Sequence, residues 1–390
     1  MASKVRPIPL SKPWLDEREA RAVRRPLLSG WVTQGPEVAA FEREFAEAVG
    51  AKHAVAVSSA TTALHLALLA VGVKPGDEVI TASHSFIATA NAVRYCGAVP
   101  VFADVELSTF NMDPASIAKL ISRKTRAILV VHQLGMPCDL KAILKVARRH
   151  KLPVVEDAAC AIGSEINWNG RWERIGKPHG DIACFSFHPR KVITTGDGGM
   201  LTTSNPAWDR KFRLWRQHGM SVSDAARHGS RTVVVESYES LGYNYRMTDI
   251  QAAVGRVQLK RLGALVKKRR AAARRYGRLL ARIPQLTPPW QPAWAKSNWQ
   301  SYCVLLPEGA NKTRIMQRLK DNGIAAHRGV ICSHLEPAYL TQPWSSGSGP
   351  RRGLAASEEA SRRELILPLY PQMTAADQER VVESLDEACR

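Results

Sequence analysis

Between Ala54 and Ala159 the chain repeats one pattern, a short apolar run followed by a polar turn and a segment of helical length. AVAVS turns directly into SATTALHLALLAVG, and DEVITA is followed by FIATANAVRYCG. VPVFAD then precedes DPASIAKLI, TRAILVVH precedes LKAILKVARRHK, and LPVVEDAA closes the series. Apolar strands alternating with helices of this length predict an α/β fold with a mainly parallel central sheet covered on both faces. Binding residues are then expected where the strands end.

The flanking segments are less regular. A proline-punctuated arm leads to EVAAFEREFAEAVG, where Val38, Phe41, Phe45 and Val49 recur at helical spacing before Gly50. From Asp181 the runs shorten, around DIACFSFHPR and GGMLTTS, with the glycine-rich TTGDGG between them. MTDIQAAVGRVQLKRLG reads as a helix leading into a second, basic one, ALVKKRRAAARRYGRLLARI, which stops at Pro284. This suggests a large unit over 1–260, including the arm, and a smaller C-terminal α+β unit over 261–390 that contains the bridging helix. QPWSSGSGPRRG reads as a mobile surface loop, and AADQERVVESLDEA as a C-terminal helix.

Composition narrows the setting. A chain of 390 residues supports a substantial core. The first twenty residues lack the apolar run of a signal peptide, and no segment reads as a membrane span, so a cytoplasmic protein is expected. Seven cysteines without a CxxC pair read as free thiols, and no metal site is expected. Lys plus Arg exceed Asp plus Glu by 55 to 35, a net charge of +20. That surface attracts anions, but the charge is spread over several segments without a base-reading motif, so nucleic acid is not an expected partner.

Four places could carry chemistry. Lys191, in DIACFSFHPRKVITTGDGG, lies between an apolar strand and a Thr/Gly-rich turn, with His188 and Arg190 beside it. A lysine there can form a Schiff base when its surroundings lower its pKa. Asp157 ends the strand LPVVEDAA, and Glu156 before it points the opposite way, so one of the two faces a ligand. The Ser58–Thr62 corner presents hydroxyls and helix-start N–H groups suited to a phosphate, with Ser186 a further hydroxyl. Phe86 begins a helix after a strand and could stack on a flat ring or fill the core. Composition and periodicity reach an α/β enzyme with an anion site and stop there.

The order of several longer motifs goes further. LLSGWVTQGPEVAAFEREFAEAVG, SSATTALHLAL, PGDEVITASHSFIATANAV, VVEDAACAIGS, GDIACFSFHPRKVITTGDGGML and LGYNYRMTDIQAAVG occur in sequence. With them the chain resembles the DegT/DnrJ/EryC1/StrS family of pyridoxal-phosphate (PLP) dependent sugar aminotransferases, fold type I. The resemblance makes Lys191 the lysine that binds PLP as a Schiff base and carries the proton. It makes Asp157 the partner of the pyridine nitrogen and Phe86 the ring-stacking residue. Ala60, Thr61 and Ser186 would hold the phosphate, with Asn244 reaching it from a neighbouring subunit, so a homodimer with composite sites is implied. Trp31, Thr33, His218, Arg246 and His327 are weaker candidates for the sugar or donor site. Cys160 stands where the family usually has Gln or His near the cofactor's phenolic oxygen, and cysteine donates more weakly. Ser59-Ala60 replaces Gly-Thr, and Asp197 stands where Glu is frequent.

The implied reaction moves an amino group from an amino acid, glutamate being favoured, through pyridoxamine phosphate to a keto group of a nucleotide-linked sugar, a step of polysaccharide biosynthesis. Three alternatives remain open: amination of a cyclitol ketone, sugar dehydration, and a non-enzymatic basic protein that binds nucleic acid. Dehydratase relatives commonly replace the lysine by histidine, and here Lys191 is intact.

Overall fold

The apolar runs become strands where the pattern places them. In chain order come α1 (Glu17–Ser29), α2 (Pro36–Val49), β1 (His53–Val57), α3 (Ala60–Ala70), β2 (Glu78–Ala82), α4 (Ala88–Tyr95) and β3 (Val99–Ala103). α5 (Pro114–Leu120), β4 (Thr125–Val131), α6 (Leu140–Arg149) and β5 (Val154–Asp157) complete the series. A hairpin of β6 (Glu165–Trp168) and β7 (Arg171–Arg174) precedes β8 (Ile182–Ser186), β9 (Gly199–Thr203), α7 (Pro206–Trp215) and α8 (Asp224–Gly229). The long α9 (Asp249–Leu280) leads to β10 (Ala295–Lys296), β11 (Tyr302–Leu305), α10 (Lys312–Asp321) and α11 (Pro337–Leu340). α12 (Ala355–Arg363), β12 (Glu364–Leu367) and α13 (Ala375–Cys389) end the chain. The structure, a computed structural model, describes residues 6–222, 224–347 and 353–390. Residues 348–352 of the Ser/Gly/Pro-rich loop lie outside the described residues.

Seven strands form one sheet in the order β1-β9-β8-β5-β4-β2-β3. From β8 through β5, β4 and β2 to β3 every pairing is parallel, while β9 runs against both its neighbours. Six strands therefore end at the same edge. Side chains alternate across the sheet: Ile128 and Val154 enter the core under α2, α5, α6 and α9, whereas Leu129 and Val155 enter the one under α3, α4 and α7. Both faces are dry, which is why the strands read as unbroken apolar runs.

A second core joins α10 and α13 to β11, β12 and the last turns of α9. The handover occurs inside α9: Leu265 and Val266 pack in the first core, Ala272, Ala273 and Tyr276 in the second. α9 is one helix of 32 residues rather than two in succession. Its Gly263 leaves room for a Cβ and interrupts nothing. Ile8 of the arm also packs in the second core and bridges to Ile324.

The arm itself is partly helical, against expectation. Asp16 and Glu19 form a capping box that starts α1, and Pro26 sits inside it. Glu19 then accepts from Gln258 at 2.8 Å and Arg261 at 3.0 Å, which fastens α1 to α9. A further three-stranded sheet, β10-β6-β7, was also not foreseen. Among the described residues no helix is long and apolar enough to cross a membrane, and no group of His, Cys, Asp or Glu could hold a metal ion.

One buried charge cluster steadies the strand that precedes α3. Glu42 of α2 accepts from Ala56 N–H at 2.9 Å, from Arg213 at 2.7 Å and from Arg216. Burial opposes its charge, but Arg216 and Arg213 prevail and hold the carboxyl below its usual range. Glu42→Ala leaves the buried Arg216 without its carboxylate, while the half-exposed Arg213 keeps Asp209, and should lower stability by about 3 kcal/mol. A thermal midpoint equal to wild type would show that the cluster contributes nothing.

Candidate active site

The carboxyl ends of β1, β2, β4, β5 and β8 meet around a cavity of about 550 Å³. Its wall contains Ala60, Thr61, Phe86, His132, Asp157, Cys160, Ser186, Lys191 and His327, so residues scattered over 268 positions share one space. Among the described lysines, Lys191 alone lines it.

Lys191 follows β8 in a turn closed by its N–H donating to the His188 carbonyl at 2.8 Å. The side chain is half-buried, and Nζ donates to Cys160 Sγ at 3.0 Å. Cys160 sits in the turn after β5, three residues beyond Asp157. The amine is thus held by a weak acceptor rather than locked in an ion pair.

Asp157 and Glu156 take opposite sides. Asp157 is 6% exposed and faces the cavity; its Oδ2 accepts from Thr89 Oγ1 at 2.8 Å and its Oδ1 from Ala159 N–H at 3.1 Å. Burial pushes its pKa up, and these two donors, with Lys191 and His132 nearby, only partly offset the shift. Glu156 is turned away and occupied by His132 at 2.9 Å and Gly180 N–H at 2.8 Å. His132 Nδ1 accepts from Cys138 N–H at 3.1 Å, so its Nε2 carries the proton that Glu156 receives.

The α3 start is arranged for an anion. Ser59 Oγ accepts from Thr62 N–H, and the Ser59 carbonyl accepts from Ala63 N–H. Among the described residues the N–H groups of Ala60 and Thr61 have no partner at the cavity wall, at the positive end of the helix. Ser186 lines the same cavity, nearly buried. The Phe86 ring is 69% exposed, so it borders the cavity rather than filling the core.

Other expected residues fall elsewhere. His327 lines the cavity, half-buried, with its pKa lowered by burial and by Arg190. Trp31, Thr33, His218, Arg246 and Asn244 do not border the cavity of their own chain. Trp31 Nε1 donates to the Gln34 carbonyl at 3.2 Å, and the Thr33 carbonyl accepts from Asp249 N–H at 3.1 Å. Asn244 is exposed on a strip bridged to Gln217, whose neighbour Tyr245 accepts at its carbonyl from Ser58 N–H at 2.8 Å. Thr89 and His132 went unnoticed in the sequence. His132 follows β4 as the polar residue after an apolar run, a signal of the same kind as Asp157; Thr89 offered none.

An α/β enzyme with a lysine, a buried carboxylate and an anion cradle at the ends of its strands is the class these features define. Residues 13–386 match the model of the DegT/DnrJ/EryC1/StrS aminotransferase family. The chain is 39% identical over 385 residues to the spore coat polysaccharide biosynthesis protein SpsC of Bacillus subtilis (strain 168), covering 97% of this chain and 96% of that one. The aminotransferase TlmJ of Streptoalloteichus hindustanus has a similar structure, with TM-score 0.87, 33% identity and 98% of both chains covered. Helicobacter pylori PseC, an aminotransferase involved in the biosynthesis of pseudoaminic acid, gives TM-score 0.88 at 29% identity over 98% of this chain and 99% of that one. The chain belongs to the DegT/DnrJ/EryC1/StrS family and is a PLP-dependent aminotransferase of fold type I.

The residues present fit that cofactor. A carboxylate buried against its own charge suits a cationic pyridine nitrogen. Two unpartnered helix-start N–H groups suit a phosphate, and an open phenyl face suits a flat ring.

Proposed function

We propose that this enzyme moves the amino group of glutamate to a keto group of a nucleotide-linked sugar. The observation that carries the reading is Arg190. Its guanidinium, exposed at the cavity wall, has no partner among the described residues, and it stands with His327 and Arg328 on one side of a space far larger than a cofactor ring needs. An unpaired guanidinium fits the diphosphate of such a sugar. The names of SpsC and PseC, which concern the biosynthesis of spore coat polysaccharide and of pseudoaminic acid, support the same acceptor class. A cytoplasmic location suits these substrates. The test is a set of keto nucleotide-sugars and cyclitol ketones, offered with glutamate or glutamine and read by mass spectrometry. Amination of cyclitol ketones alone would overturn the proposal.

When bound, PLP supplies an aldehyde that condenses with amines and a protonated ring that withdraws electrons. In this reading Ala60, Thr61 and Ser186 bind the phosphate, Phe86 covers the ring and Asp157 keeps the ring nitrogen protonated. Cys160 holds Lys191 Nζ on the cofactor side. Lys191 takes a proton from the donor's α-carbon in one half-reaction and returns one in the other. A binding, orienting and proton-moving role is thus given to each residue, with Trp31, Thr33, His218 and Arg246 left to shape the substrate end of a composite site.

The exposed Asn244 completes the phosphate cradle of a partner subunit in this reading, which requires a homodimer. Lys191→Ala and Asn244→Ala homodimers should both be weak. A purified mixed dimer carries one site with both defects and one with neither, so about half the wild-type activity should return. If the mixed dimer is no more active than its parents, with cofactor bound, the cross-subunit role is wrong.

A further inference from the structure

The basic run of α9, KKRRAAARR at 267–275, is not absorbed by the active site, and its members divide sharply. Lys268 lies over the Trp14 ring, 4.9 Å from its centre. Arg269 is buried and donates to the carbonyls of Trp299, Gln300 and Leu369. Arg270 donates to the Ser297 and Lys296 carbonyls and pairs with Glu165 at 3.6 Å. Arg275 donates to Gln378 at 2.8 Å. Lys267 and Arg274 are left with no partner among the described residues. They are seven residues apart, two helical turns, and so share one face about 10 Å long.

That face borders a second cavity, of about 240 Å³, between α9 and the β6–β7 hairpin. Arg174 of β7 forms its other side, with one nitrogen given to the Ala48 carbonyl. The one carboxylate in the wall, Glu165, is already matched by Arg270 and by Lys296 at 3.8 Å. Lys267, Arg274 and Arg174, all solvent-exposed, therefore border a concave space whose one carboxylate is already shared by two other cations. Like charges held together this way repel, and an anion relieves the repulsion. The volume lies below the roughly 300–1,000 Å³ of pockets for drug-sized ligands, which favours a compact anion over a nucleotide.

We propose that Lys267, Arg274 and Arg174 form a second anion site, which takes a small multivalent phosphate compound of pyrophosphate size. It shares no residue with the active-site cavity. The two are joined through one turn: Gly163 lines the second cavity, while Cys160, three residues earlier, lines the first. Asn298 Nδ2 binds the Cys160 and Ile162 carbonyls at 2.8 Å each and keeps that turn in one piece. The proposal does not depend on which ketone the enzyme aminates.

The test is titration calorimetry of inorganic pyrophosphate into the PLP-loaded enzyme at low salt. The double variant Lys267→Ala/Arg274→Ala removes two side chains that hold nothing in place, so its thermal midpoint and PLP content should match wild type. Introduced into Arg190→Ala, which lacks the active-site guanidinium, the same pair of substitutions should lower affinity for pyrophosphate at least about tenfold. The companion Arg190→Ala, altered in the active-site cavity, should keep wild-type affinity at the second site. Equal binding with and without the pair of substitutions in the Arg190→Ala background, absence of binding to wild type, or loss of all binding in Arg190→Ala would each overturn the proposal. So would a DNA duplex that distinguishes wild type from the double variant when pyrophosphate does not, since that result assigns the surface to a polymer.

Discussion

Lys191→Ala should lose transamination by about 10³-fold or more while keeping its fold. Two contributions disappear together, the covalent amine and the acid–base group, and proton transfer by a placed side chain is alone worth roughly 10²–10⁴. The cavity offers no replacement, because Lys191 is its only lysine among the described residues. Arg190 beside it offers only hydrogen-bond donors and no acceptor for the proton. The half-buried Lys191 side chain makes one weak bond, to Cys160, so an unchanged thermal midpoint is expected. Cofactor content is a poor readout, since in the proposed reading Asp157 and the α3 start hold PLP without a covalent link. Borohydride reduction of the wild-type holoenzyme followed by peptide mapping is decisive. The fixed cofactor should appear on the peptide containing Lys191, and labelling of a different lysine would end the assignment.

What could be read from the sequence follows from how each part of the fold is buried. The parallel strands are enclosed on both faces, so Ala127–Val131 and the Val154-Val155 pair ahead of Glu156 stand out as apolar. The β6–β7 hairpin has mostly exposed or half-exposed side chains, and β10 has two residues, so neither leaves a recognisable pattern. The prolines of the arm looked like punctuation, yet Pro26 is accommodated within α1, whose capping box and ties to α9 hold it in place. At the site, alternation along a strand announced that Glu156 and Asp157 diverge, but only the fold shows that Glu156 is taken by His132 and Gly180. Thr89 binds Asp157 across 68 positions, and nothing local to either residue records that bond. Phe86 was open between core and ring-stacking roles because both use the same residue at the same spacing; its exposure removes the core role. The basic run 267–275 read only as part of a basic helix, whereas Arg269 is an internal donor to three carbonyls.

Asp157→Asn should keep the fold and lose activity by on the order of 10²-fold or more, the scale of removing one preorganised electrostatic contact from a reacting site. Asparagine is nearly the same shape: its Oδ1 can still accept from Ala159 N–H, and its NH2 can donate to the Thr89 hydroxyl oxygen in place of the bond it loses, so packing survives. What it lacks is the negative charge that keeps a pyridine nitrogen protonated. The charge also leaves a trace in stability. Burial raises the Asp157 pKa in the folded chain above its unfolded value. In the apoenzyme this group therefore favours the native state at low pH, and that contribution is lost as pH rises through the folded pKa. A cationic ring at the cavity wall reverses the preference by stabilising the carboxylate. The gain in thermal midpoint on adding PLP should thus grow from acid towards neutral pH in the wild type. Asp157→Asn, with nothing to ionise, should show a flatter gain over the same range, and comparing the two removes the titration of the cofactor itself from the reading. Single-turnover rates with glutamate at saturating PLP separate this effect from weaker cofactor binding. If the variant matches wild type in both rate and pH profile, the carboxylate does not partner the ring nitrogen, and burial of Asp157 serves only the fold.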